Sequence, residues 1–160
     1  MLHYAVCNQF YNLKTYPQQL AKYQIKKILV PMDGSSNSFR GLDNAIYLAR
    51  QCGGTITGLF AMPNRLSAFE PIMFDRKYLL KFANEIMSRA KNRCAQNGIV
   101  FYGKTASGDA ATEIIAFSQR TKSDIIVIGA RGLGSVKAAF LGSVSHAVVH
   151  KSKIPVLIVK

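Results

Sequence analysis

Tryptophan is absent from this 160-residue chain, and cysteine, proline and acidic residues are scarce: three Cys, five Pro, and eight Asp and Glu together. Cys7, Cys52 and Cys94 include no close pair. They make neither a disulfide framework, which needs an even complement, nor a zinc knuckle, which needs ligands in short-spaced pairs. No apolar run approaches the ~20 residues of a membrane-spanning helix, so no membrane is expected. The start has no basic stretch followed by an apolar run of signal-peptide length, and the expected location is cytoplasmic. Set against 21 Lys and Arg, the few acids leave a net charge of +13, suited to attracting polyanions and nucleotide phosphates. The basic residues are spread from Lys14 to Lys160 without a dense run. A solvated basic surface therefore ranks above a dedicated nucleic-acid face, and nucleic acid is kept as a secondary partner.

What is present is globular, 49% hydrophobic and 18% charged, and long enough for one domain to bury a core without metals or disulfides. Residues 1–25 stand apart as an N-terminal extension. They hold Tyr4, Phe10, Tyr11, Tyr16 and Tyr23, no acid and no sustained period, and read as a docking arm or a tail. From Lys26 strand and helix patterns alternate. Ile28 to Met32 reads as a first strand, closed by Asp33-Gly34-Ser35-Ser36, where a serine can cap the next helix. That helix carries Phe39, Leu42, Ala45, Ile46 and Ala49 on one face and stops at Gly53-Gly54. Thr55 to Met62 is a second strand. A long helix comes next from Pro71, with Leu79, Phe82, Ile86 and Ala90 inward and Asn97-Gly98 at its end. Ile99 to Ala106 is a third strand, and Gly108-Asp109 caps a helix bearing Ile114, Ile115 and Phe117. A fourth strand, a glycine loop, a short helix and a fifth strand from Ile154 to Val159 complete the chain. Five strands alternating with four helices predict a parallel sheet covered on both faces.

The fourth strand and the glycine loop after it, IIVIGARGLGSVKAAFLGSVS, hold the chemistry. Ile125 to Ile128 is too short and too β-branched for a helix and reads as a strand buried on both sides. It breaks at Gly129, with Gly132 and Gly134 close behind. Gly142, Ser143, Val144 and Ser145 then open a short helix whose free N–H groups, hydroxyls and dipole suit a phosphate. Neither familiar phosphate loop fits. A Walker A loop needs lysine where Ser135 stands, and a dinucleotide fingerprint begun at Gly132 meets Lys137 at its third glycine. His146 and His150, four apart, share a helix face but have no third ligand beside them, so they read as a surface pair and no metal site is assigned.

The spacing that does fit is Gly129, two residues, Gly132, nine residues, Gly142-Ser143. It resembles the nucleotide-binding motif of the universal stress protein family, in its ATP-binding branch. KKILVPMDGS, TITGLFAM and KSKIPVLIV extend the resemblance over residues 26–160, which are expected to form the nucleotide-binding domain. The resemblance implies an α/β, Rossmann-like fold: a doubly wound, five-stranded parallel sheet in the order 3-2-1-4-5 with helices on both faces. Asp33 and Gly129 would then face each other across the switch point. It further implies ATP as ligand, with magnesium, and AMP or ADP as alternatives. Pro31 and Ala61 would approach the base through their main chain, and Asp33 would meet the ribose or the adenine edge. Gly129, Gly132, Gly142, Ser143 and Ser145 would hold ribose and phosphates, Val144 would give its N–H, and Ile128 and Arg131 complete the set. Two local roles stay open beside these: Asp33 as a cap next to Ser35, and Ser143 as N-cap of the last helix. Phe60 departs from the family, many of whose members have histidine there.

Function is read in three ranked ways. A regulatory ATP-binding module, read by an unknown protein partner, comes first. A slow ATPase or phosphotransferase comes second, because no carboxylate or histidine inside the loop can position a water, and no catalytic residue is assigned. A nucleic-acid-binding protein comes third. The apolar fifth strand, 154–159, would lie at a sheet edge open to a second copy, and the resemblance implies a homodimer through it.

Overall fold

The computed structural model describes residues 24–63, 76–134 and 141–160. The aromatic residues of the extension up to Tyr23, Pro71 and the alanine-rich centre of the glycine loop lie outside these residues. Among the described residues nine elements alternate: β1 (Lys27–Pro31), α1 (Ser36–Cys52), β2 (Thr55–Met62), α2 (Arg76–Ala95), β3 (Phe101–Ser107), α3 (Ala110–Thr121), β4 (Ile125–Gly129), α4 (Ser143–Lys151) and β5 (Val156–Val159). All pairings are parallel, in the order β3-β2-β1-β4-β5. The winding therefore reverses between β1 and β4.

The pleat of β1 shows why its apolar run has no polar interruptions. Ile28 and Val30 point into one core with Leu42, Ile46, Ile56 and Ile86, while Leu29 between them points into another with Leu59, Ile114, Phe117, Ile126 and Val148. Successive side chains of a strand face opposite sides, so a sheet covered twice needs apolar residues at every position. Each fully buried Leu or Ile contributes roughly 1.5–3 kcal/mol.

Helix ends obey the capping chemistry. Ser35 accepts the Ser38 N–H at 3.1 Å, and Gly53, in the left-handed region at φ 61°, closes α1. Asp109 caps α3, its Oδ2 accepting from the Thr112 N–H at 3.0 Å and hydroxyl at 2.8 Å. At the opposite end of the sheet Asp124 Oδ2 accepts the main-chain N–H groups of both Lys26 and Lys27 at 2.8 Å, tying the start of β1 to the start of β4.

Some boundaries differ from expectation for local reasons. β3 begins at Phe101 rather than Ile99, because the Ile99 N–H turns back to the Cys94 carbonyl at 3.0 Å and finishes the α2 terminus. β5 begins at Val156 rather than Ile154: Ser152 Oγ bonds both the N–H and the carbonyl of Ile154, and Pro155 has no N–H to offer a ladder. No helix among the described residues is long and apolar enough to cross a membrane.

Candidate functional site

The carboxyl ends of β1 and β4 meet where the winding reverses, and two local devices shape the space above them. On the β1 side, Asp33 Oδ1 accepts from the Ser35 N–H at 2.9 Å and the Ser35 hydroxyl at 2.6 Å. The N-cap of α1 is Ser35 itself, and Asp33 is not the cap but the carboxylate that holds that serine in place. Its other oxygen points at the glycine loop. A Cβ added at Gly132 would stand 2.6 Å from Asp33 Oδ2. The residue that meets Asp33 across the crevice is therefore Gly132 rather than Gly129.

Gly129 has a different task. A Cβ there would lie 2.6 Å from the Asn37 carbonyl oxygen, in the first turn of α1. The glycine lets helix and strand end approach backbone to backbone, which a side chain would prevent. Just beyond it Ala130 gathers the loop. Its N–H donates to Val159 O at 2.7 Å, and its carbonyl accepts from the Gly142 N–H at 2.8 Å and from Ser145 Oγ at 2.8 Å. The loop leaves and returns at one point.

α4 starts differently from the expectation. Its N-cap is Gly142, with no side-chain cap bond, and Ser143 is the first helical residue. Ser143 is exposed, and Ser145, 2% exposed, shares its hydroxyl hydrogen between the carbonyls of Ala130 and Gly142. Gly142 lies beside the start of the loop, where a Cβ would make an ordinary contact 3.4 Å from Arg131 Cα. A glycine cap leaves the first turn of α4 without a side-chain acceptor, and no acidic residue stands in that turn. Unmet N–H groups and the positive end of the helix dipole favour an anion.

A cavity of about 520 Å³ opens over these elements. All eleven residues singled out from the sequence line it: Pro31, Asp33, Ala61, Ile128, Gly129, Arg131, Gly132, Gly142, Ser143, Val144 and Ser145. Sequence reasoning missed two of its walls. One is mostly aromatic and comes from α2, Tyr78, Leu79 and Phe82, which extend the side begun by Phe60 of β2, singled out from the sequence as a departure from the family, with Phe60 and Phe82 edge to face at 6.0 Å and 78°. The other is aliphatic and comes from β2 and α3: Leu59, Ala110 and Ile114. Ala110 was within reach of the strand-end rule, since the Gly108-Asp109 turn brings α3 to the same rim. Among the described lining residues, Asp33 and Arg131 alone are charged, and none is histidine. An apolar basin with one carboxylate, one guanidinium and an open helix terminus suits a flat, apolar ring joined to a polar, anionic tail.

The histidine pair lies elsewhere. His146 and His150 lie with ring centroids 4.5 Å apart and planes tilted by 53° on the exposed side of α4, and do not line the cavity. Among the described residues no group of three or more His, Cys, Asp or Glu could hold a metal ion.

Comparison with known proteins bears on this geometry. The model of the universal stress protein family matches residues 24–160. Universal stress protein YxiE of Bacillus subtilis (strain 168) is 32% identical over 145 residues, covering 84% of this chain and 98% of the relative. Among solved structures, the hypothetical protein MJ0577 superposes with a TM-score of 0.74 at 27% identity, over 86% of this chain and 96% of that one. A universal stress protein in complex with cAMP superposes at 0.68 and 23% identity, over 84% and 97%. One from Archaeoglobus fulgidus in complex with dAMP superposes at 0.66 and 20% identity, over 86% and 99%. These likenesses share the parallel sheet of five strands in the order found here.

Proposed function

This chain belongs to the universal stress protein family, and from that premise we propose that it binds an adenine nucleotide in the β1–β4 cavity and acts as a regulatory module. The observation that carries the reading is the convergence of the eleven residues on one cavity whose anion-binding end is the first turn of α4, uncapped by any side chain. In this reading residues 26–160 are the nucleotide-binding domain and ATP or AMP is the ligand. The base lies in the apolar basin near the main chain of Pro31 and Ala61. The ribose meets Asp33 Oδ2, the carboxylate oxygen not engaged by Ser35. The phosphates lie against the N–H groups of Ser143 and Val144, with Arg131 adding charge. The family neighbours that hold cAMP and dAMP support an adenine ligand. Asp33 is the only carboxylate among the described lining residues, so magnesium arriving with ATP would keep phosphate oxygens and waters as its main ligands.

Turnover is expected to be slow. A water attacking the terminal phosphate needs a group to position it, and the described lining residues include no histidine and no second carboxylate. The test is calorimetric titration of AMP and of magnesium–ATP into nucleotide-free protein, repeated with Gly142→Val/Ser143→Leu. Saturable binding by the unmodified chain, abolished by the double substitution, is the expected result. An unmodified chain that takes up neither nucleotide overturns the reading.

The same reading makes the chain a homodimer through β5, an edge strand with Leu157 40% exposed. Light scattering should give twice the chain mass, falling to one chain mass with Leu157→Lys; a monomer at every concentration refutes it.

A further inference from the structure

Eight large apolar side chains are exposed among the described residues, and two of them, Tyr78 and Leu133, line the cavity. An exposed tyrosine on a helix is ordinary by itself. Tyr78 differs because of where its helix delivers it. Tyr78 and Phe82 are four apart on α2, hence one turn apart on one face. Both line the cavity, so the aromatic wall runs from the interior outward to the mouth. Its inner rings are committed: Phe60, 6% exposed, meets Phe82 edge to face, and Phe82 packs on the core. Tyr78 is 56% exposed and is the aromatic residue at this wall with substantial free surface.

We infer that Tyr78 is a further binding residue, whose ring stacks on the base of the bound nucleotide. The inference rests on the nucleotide reading above and adds a contact to it from α2. A flat heterocycle in an apolar basin gains from a ring laid parallel to it, and such stacking strengthens binding by about tenfold or more per base, nearly regardless of which base it is. Stacking by Tyr78 therefore sets how tightly a base is held. The choice of adenine falls to the main chain at Pro31 and Ala61.

The experiment compares AMP affinity by calorimetry for the unmodified full-length chain, Tyr78→Phe, Tyr78→Leu and Tyr78→Ala. Urea midpoints confirm that each variant is folded, as expected for an exposed position. Tyr78→Phe should stay within about twofold, because the ring is kept, and Tyr78→Ala should bind about tenfold more weakly. Tyr78→Leu keeps bulk without a π face and should resemble the alanine variant more than the phenylalanine one. In the unmodified chain AMP should also quench tyrosine emission, which no tryptophan obscures, and the quenching should diminish in Tyr78→Phe. If the unmodified chain binds AMP and Tyr78→Ala binds equally well, the stacking role is overturned while the site stands. Leucine performing as well as phenylalanine reduces the contact to apolar cover and also overturns stacking. Absence of AMP binding by the unmodified chain overturns the nucleotide reading itself.

Discussion

Replacing Gly129 by alanine is the smallest change that tests how the crevice is held. The new methyl would lie 2.6 Å from Asn37 O, 2.7 Å from Asn37 C and 3.0 Å from Asn37 Cβ. The first two are backbone atoms, so no rotamer change can relieve the contact. Either α1 moves off the end of β4 or the strand end moves away from α1. Overpacking of this kind costs about 1–3 kcal/mol, and backbone against backbone belongs at the upper end. For a domain of this size about 3 kcal/mol lowers the melting temperature by roughly 6–12 °C. Asn37 comes just after the Ser35 cap, which Asp33 orients, so a displaced α1 should also weaken AMP binding. Gly134→Ala is the matched control: a Cβ there meets nothing within 4 Å, and its stability should change by less than about 0.5 kcal/mol. Urea and thermal unfolding of the three proteins measure both effects. A Gly129→Ala chain that melts within a degree of the unmodified one refutes the close approach of α1 and β4.

Other expectations concern the framework. Asp109→Ala should cost about 1 kcal/mol, the usual worth of a helix N-cap. The Thr112 N–H and then its hydroxyl hold the Asp109 carboxyl below its ordinary value. A lowered carboxyl stabilises the fold above its unfolded value and loses that contribution as pH falls through its folded one. The difference between Asp109→Ala and the unmodified chain in urea midpoint should therefore persist at neutral pH and shrink below about pH 4. Burial, and secondarily the charge of Asp43, pushes the Cys94 thiol up to about 11. Mass mapping after brief alkylation at pH 8 should find Cys52, which is partly exposed, modified well before Cys94. Equal rates would mean that α2 opens easily. Ser145→Ala removes the hydroxyl that bonds the Ala130 and Gly142 carbonyls and should cost about 1–2 kcal/mol by urea unfolding; no loss would show that the loop is held without it.

The elements that could be read from the sequence were those whose side chains face one environment. β4 is buried at all five positions, so its apolar run identified it directly, and β2 occupies the span expected, Thr55 to Met62. The edges were harder. β3 is mostly exposed, with Tyr102 half exposed and Lys104 open to solvent, and neither alternation nor a continuous run marks its start. The loop residues came together because glycine spacing is local information. The α2 wall was not legible for the opposite reason. Leu79 and Phe82 carry the same 3.6-residue period whether they cover the sheet or line a cavity, and only the way α2 crosses β2 decides between the two. Gly129 shows a further limit: its spacing singled it out and it lines the cavity, but nothing in that spacing announced its close approach to the backbone of α1.

The carboxylate that ties Lys26 and Lys27 to β4 has a consequence for how the molecule is made. Asp124 lies 98 and 97 positions beyond the two main-chain N–H groups it holds, and β1 pairs with β4 over the same interval. A chain emerging from the ribosome at ~5–20 residues per second can assemble β1, α1 and β2 early, but it must leave one flank of β1 unpaired for several seconds until β4 arrives. During that time Ile28 and Leu29 sit at an open edge, where pairing with a stranger is the hazard. Loop closure over such a separation makes the central pairing a slow, late step. The crevice between β1 and β4 therefore cannot exist until β4 has been made, and the order of synthesis delays the site until well after its first wall has folded.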